Sequence, residues 1–137
     1  MAKENGLGMT VTVDDSAGAG QAISNDILTV GITMPSGVQD VTGVNSSGME
    51  RLLLLADLQI ALGGVFNDAA NLSHAVFKNY RTLAAGQVGR TVSIVHSGQT
   101  LADEILFANY DLNRAADGSL GWSSTGSLSD GTAPAWS

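Results

Sequence analysis

"MERLLLLADLQIALGGVF", Met49 to Phe66, carries four consecutive leucines, Leu52 to Leu55, in a chain otherwise rich in Gly, Ser, Thr and Asp. No single face of a helix or strand hides four neighbours in a row. The stretch changes period part-way. Upstream, Ser47-Gly48-Met49-Glu50 has the form of a capping box, a Ser hydroxyl taking a free backbone N–H while a Glu reaches back; this predicts about two turns of helix. Downstream, Leu58, Ile60 and Leu62 alternate with Gln59 and Ala61, the period of a half-buried strand. Gly63-Gly64 marks a bulge or a close backbone approach. At such a junction consecutive residues can point in different directions, so the leucines are expected to be shared between a core and an interface. The run is far shorter than the roughly 18 apolar residues of a membrane span, and no membrane insertion is expected.

Strand periods recur on both sides. "MTVTV" sets Met9, Val11 and Val13 against Thr10 and Thr12. "DILTVGITM" sets Leu28, Val30, Ile32 and Met34 against Ile27, Thr29, Gly31 and Thr33. "RTVSIVHS", "ADEILFANYDLNR" and "SLGWSSTGSL" alternate in the same way, and Asp117-Gly118 between the last two is a tight-hairpin signal. "DDSAGAG" reads as a turn, and Pro35 to Gly48 as a long loop broken by Pro, Gly, Ser and Asn. "NDAANLSHAVFKNYR" reads as the main helix, capped by Asn67 or Asp68, with Lys78 and Arg81 near its end. Residues 1–8 and 129–137 read as terminal arms. The expected fold is mainly β: one domain over residues 1–137, a two-sheet sandwich or barrel of six or seven strands flanked by one α-helix.

The 137 residues suffice for a real core. Charged residues make up only 14%, and the net charge is −7. The six basic residues, Lys3, Arg51, Lys78, Arg81, Arg90 and Arg114, are scattered, which disfavours tight binding to nucleic acid by phosphate neutralisation. Cys is absent, so disulfides and thiolate metal sites are excluded. "MAKENGLGMT" has no apolar signal-peptide core.

Chemistry finds little support. His74 and His96 have no selected Ser or Asp partner, and no G-x-S-x-G occurs. Asp103-Glu104 would diverge on a strand. Asp111-x-Asn113 begins like a calcium loop, but Ala115 and Ala116 take the positions of a third ligand and the Gly. Gly18-Ala19-Gly20 lacks the rest of a phosphate loop. Neither enzymatic activity, a metal nor a cofactor is expected. The leucines, Val38, Val41, Val44 and Trp136 exceed what one small core absorbs, which points to subunit contact.

The order of segments then carries a resemblance. "ISNDILTV", "GVQDVTGVNSSGMERLLLLADLQIALGGVFNDAANLSHAVFK" and "RTVSIVHSGQTLADEILFANYDLNRAADGSLGWSSTGSLSDGTAPAW" follow one another as in a family in which an Asp-Val-Thr loop precedes a strand ending near Gly-x-Phe. A helix carrying a His, three strands and a closing Asp-Gly complete the pattern. Here these are Asp40-Val41-Thr42, Gly64-Val65-Phe66, His74 and Asp130-Gly131. From about residue 23 onward the chain resembles the tail tube (major tail) proteins of long-tailed bacteriophages, in their short single-domain form.

The resemblance implies homohexameric rings stacked into a virion tail tube, made and assembled in the bacterial host cytoplasm. The tube conducts DNA without binding it specifically and joins tip, terminator and tape measure proteins. It implies that the long loop reaches an adjacent ring and that the arms bridge subunits. Expected subunit or ring contacts are Val38, Asp40, Val41, Val44, Met49, Leu53, Leu54 and Trp136. Candidates for the lumen are Thr29, Thr33, Gln59, Asn109, Asp111, Asn113, Ser123 and Thr125. An acidic lining would repel DNA within a Debye length of roughly 8 Å. The alternative is a virion decoration or carbohydrate-binding β-sandwich with a concave aromatic surface.

Overall fold

The computed structural model describes residues 3–137; of the expected N-terminal arm, residues 1 and 2 lie outside the described residues. The strands are β1 (Thr10–Asp14), β2 (Gly20–Ala22), β3 (Ile27–Thr33), β4 (Ser36–Asp40), β5 (Arg51–Ala56), β6 (Gln59–Val65), β7 (Arg90–His96), β8 (Gln99–Phe107), β9 (Asp111–Arg114) and β10 (Leu120–Leu128). One short helix, α1 (Ser73–Phe77), lies between β6 and β7. The main sheet runs β2-β1-β7-β8-β10-β6-β3, with β9 also beside β10; β4 and β5 form a second, two-stranded sheet. These pairings are antiparallel.

β1 and β6 are far apart in that order. Yet Val11 and Val13 of β1 share one buried cluster with Ile60 and Leu62 of β6. The main sheet therefore curls on itself, and its two halves are the leaves that enclose the core. Period-two alternation supplies the lining: Val92 and Ile94 from β7, Leu101, Ile105 and Phe107 from β8, and Trp122 from β10. Phe77 of α1 closes the end of the core against the rings of Phe107 and Trp122, with centroids 5.0 and 4.9 Å away.

Turn chemistry matches the sequence where it is local. Asp15 Oδ1 accepts the N–H groups of Ala17 and Ala19 at 2.9 and 3.0 Å, closing the turn between β1 and β2. Asp117 Oδ1 accepts the Ser119 N–H at 2.9 Å, and Gly118 takes the positive φ of 93° that this turn requires.

Several expectations are corrected. No helix follows Ser47: Arg51–Ala56 is strand, paired with Ser36–Asp40. Glu50 gives its N–H to Thr42 Oγ1 at 2.8 Å and takes the Ser46 hydroxyl at 2.9 Å, so the Glu of the expected capping box serves a hairpin instead. The long loop accordingly shrinks, because its first part is β4.

The main helix shrinks to Ser73–Phe77. Asn67 folds onto itself, its Oδ1 accepting the Ala69 N–H at 3.0 Å, and Asn71 has φ 64°. Neither Asn67 nor Asp68 caps the helix; the cap position is Leu72, and Asp26 accepts the Ser73 N–H at 3.1 Å from across the chain. The strand expected through Asn113 is broken at residues 108–110, giving β8 and β9. In β3 a register shift between Ile27 and Thr29 puts Ile27 with Val30 and Ile32 on the core side and leaves Leu28 exposed.

Candidate assembly surfaces

Thr33 pairs with Gln59, Pro35 O accepts the Asp57 N–H at 2.8 Å, and Ser36 pairs with Ala56. β3 and β4 thus run on as one arm of a long ribbon, and β5 and β6 as the other. The inner half belongs to the main sheet; the outer half is the two-stranded sheet. Leu58, Ile60 and Leu62 on the inner half are buried. Leu52 to Leu55 on the outer half are not: Leu53 is 76% and Leu55 91% exposed, and the other two are at least half exposed. No leucine of the run reaches the core, which corrects the expectation that it is divided between core and interface.

The ribbon's register sorts these side chains by face. Val38 lies opposite Leu53 and Asp40 opposite Arg51, while Gln39 lies opposite Leu52. Alternation then places Leu53 and Leu55 on one face and Leu52 and Leu54 on the other. Fully burying each leucine is worth roughly 1.5–3 kcal/mol, so both faces hold back several kcal/mol.

The tip is ordered by its own polar groups. Thr42 donates its hydroxyl and its N–H to Asp40 Oδ1 at 2.6 and 2.9 Å, and Val41 N–H reaches Glu50 O at 2.9 Å. The Thr42 hydroxyl, and after it the Thr42 N–H, hold the Asp40 carboxyl below the usual carboxylate range. Val41, Val44 and Met49 are exposed around this tip.

Trp136 stands elsewhere. It bridges Leu101 of β8, and Thr100 and Ser137 exchange backbone hydrogen bonds of 2.8 and 2.9 Å. Its exposed ring borders an open groove with Met9, Ile32 and His96.

The polar residues singled out in the sequence come together. Thr29 pairs with Gly63, Gly31 with Ala61 and Thr33 with Gln59. Across β6, Gly63, Ala61 and Gln59 pair with Ser123, Thr125 and Ser127. Ser123 pairs in turn with Asp111, and Gly121 with Asn113. Directly opposite residues share a face, so these side chains form one face of the β3-β6-β10-β9 sheet. Asn109 joins it, its Oδ1 accepting the Thr125 N–H at 2.8 Å and its Nδ2 donating to Asp111. All eight expected positions lie on or beside this face. The charged residue among those just named is Asp111; no Lys or Arg is among them.

His74 is held among aromatic side chains. His74 Nδ1 is 3.0 Å from the Tyr110 hydroxyl, and its ring lies 4.7 Å from that of Phe66. Burial raises the Tyr110 phenol above its ordinary pKa. No cluster of three or more His, Cys, Asp or Glu that could hold a metal occurs among the described residues.

Arg90, one of the scattered basic residues, is only 2% exposed. Its guanidinium donates to the carbonyls of Asp14, Val76, Asn79 and Thr82 at 3.3, 2.5, 2.5 and 3.1 Å. Its place in phase with Val92 and Ile94 was the available signal.

No family model matches the chain, and no curated protein does. Solved structures do. A chain in the tail of an empty gene transfer agent particle, computed with helical refinement and C6 symmetry, superposes with a TM-score of 0.72 at 18% identity, with 98% of each chain covered. The chain shares the fold of that tail chain. A second match, in the virion of a native gene transfer agent particle, has a TM-score of 0.71 at 17% identity and covers 98% of this chain and 99% of that one. At such identities the likeness is one of fold.

Proposed function

We propose that this chain is a structural subunit of a phage-type tail tube. The observation that carries the reading is the ribbon: four leucines exposed on both faces of a projecting two-stranded sheet, on a fold also found in a helical tail with C6 symmetry. Monomeric proteins rarely leave such a surface uncovered. Residues 1–137 act as one domain that forms rings of six, and the rings stack. Val38, Val41, Val44, Met49, Leu53 and Leu54 contact the neighbouring ring, with Asp40 shaping the tip and Trp136 contacting a neighbour through the C-terminal arm.

The polar face of β3-β6-β10-β9 lines the lumen. Its small hydroxyl and amide groups, without Lys or Arg, offer no counterion for phosphate, so DNA passes without being held. Tip, terminator and tape measure proteins complete the tail, which is assembled in the bacterial host cytoplasm. The subunit is not an enzyme.

Electron microscopy of the concentrated purified protein, and of the protein expressed with other tail proteins, tests this. Rings or tubes are expected. A chain that stays monomeric in the first preparation and is missing from tails in the second refutes the reading.

A further inference from the structure

Asn5-Gly6 is the one Asn-Gly step among eight asparagines in the chain. Gly6 has no side chain to shield its amide, and nothing lies within 4 Å of where a Cβ would stand. Asn5 is exposed. Two hydrogen bonds converge on it. The Leu7 N–H donates to Asn5 Oδ1 at 3.0 Å, folding the side-chain amide back over the following peptide. His96 Nε2 lies 2.6 Å from the Asn5 main-chain carbonyl oxygen. A carbonyl can only accept, so Nε2 carries the proton. His96 Nδ1 is buried without a partner, which suits a bare lone pair better than a second N–H.

We infer that Asn5 is a built-in self-modification site, converted through a succinimide to aspartate and isoaspartate with His96 promoting the step. Water or hydroxide removes the Gly6 amide proton. The negative charge spreads onto the Asn5 carbonyl oxygen, where the His96 N–H stabilises it. The Gly6 nitrogen forms a bond to Asn5 Cγ, and the oxyanion that develops on Oδ1 faces the Leu7 N–H. The Cγ–Nδ2 bond then breaks, and Nδ2 leaves as ammonia after taking up a proton. Water opens the resulting five-membered ring at either carbonyl. Attack at Cγ restores a normal backbone with an aspartate side chain; attack at the main-chain carbonyl routes the chain through Cβ and yields isoaspartate. No oxidant or reductant is involved.

Each conversion adds one negative charge beside Glu4. The isoaspartate product also lengthens the main chain by one carbon, which removes the turn to Leu7 and the contact with His96. The N-terminal segment is thereby untied from the β7–β8 turn with age. This holds whether or not the chain forms tubes.

Peptide mapping by mass spectrometry of the full chain, aged at neutral pH and 37 °C, tests the site. Asn5 should convert before the other seven asparagines, and several-fold faster than in a free peptide of sequence KENGLG. His96→Ala should slow Asn5 alone to the peptide's rate, and His96→Gln, which keeps an N–H donor, should restore part of the difference. A folded chain in which Asn5 persists as long as the other asparagines overturns the site. Equal rates in wild type and H96A, with both folded by circular dichroism, overturn the role of His96.

Discussion

A Cβ placed on Gly64 would lie 1.8 Å from the carbonyl oxygen of Asp26. The contact is backbone against backbone, where β6 meets the turn that leads into β3. It sets Asp26 so that its two carboxylate oxygens receive Asn67 Nδ2 and the Ser73 N–H, each at 3.1 Å. One glycine thus positions the residue that starts α1.

Gly64→Ala should therefore be among the costliest single-methyl additions in the chain. Main chain must move on one side, so a loss of about 3 kcal/mol or more is expected in urea unfolding. Gly48→Ala, with open space around it, is the control and should stay within about 0.5 kcal/mol. Equal midpoints for the two variants would mean that the close approach is not made.

Arg90→Met should lower stability by at least about 3 kcal/mol, because it strands several buried carbonyls at once. Arg90→Lys keeps the charge but lacks the fork and should fall between. Hydrogen exchange should show residues 79–82 loosening first. Unchanged protection there in Arg90→Met would contradict the anchoring role.

Leu53→Asp and Leu54→Asp should separate folding from assembly. Both side chains lie outside the core, so unfolding midpoints should shift by no more than about 0.5 kcal/mol. Ring or tube formation should be lost in sedimentation and microscopy. Full-length tubes from either variant would remove that leucine from the proposed interface.

The hairpin tip should respond to acid. The folded pKa of Asp40 is depressed, so its ordering effect is complete above the pKa of an unfolded Asp and disappears as pH falls through the lower folded value. Thr42→Val deletes the hydroxyl bond and should move the Asp40 titration, followed by carboxyl carbon NMR, up toward the ordinary range. A titration curve that does not move would show that the Thr42 hydroxyl is bonded elsewhere.

Thr125→Arg puts a cation in the middle of the polar face, opposite Ala61. The subunit should still fold, since the position is exposed. Tubes built from it should retain DNA several-fold more than wild type at low salt, with the difference shrinking as salt rises. Identical DNA retention at every salt concentration would place this face away from the lumen.

Much of the sheet was legible in advance because alternation is a local signal. Val11/Val13, Leu58/Ile60/Leu62 and Val92/Ile94 sit on the core side as their spacing requires. Asp117-Gly118 makes its turn without outside help. Thr29, Thr33, Gln59, Ser123 and Thr125 follow from strand parity, whereas Asn109, Asp111 and Asn113 share the parity of the buried Ile105 and Phe107 and join that face only because the strand breaks at residues 108–110. The failures fall where a distant partner outweighs a local preference. Ser47 and Glu50 are good helix starters, but residues 51–56 find a paired strand in residues 36–40. The Asn67 to Arg81 segment has helical spacing, but Asp26 and Arg90 hold its two ends.

From its residues alone, this chain was committed to a strand-rich fold, to turns at its Asp and Gly steps, and to an apolar run that no one element could hide, because periodicity, turn conformation and hydrophobicity are carried by near neighbours. Tertiary structure alone decided that the main sheet curls around one core, that Arg90 is an interior anchor, and that Leu52 to Leu55 lie wholly outside. Those outcomes depend on which strands pair and where the paired ribbon runs past the edge of the core, and strand pairing is a long-range choice that no local pattern encodes.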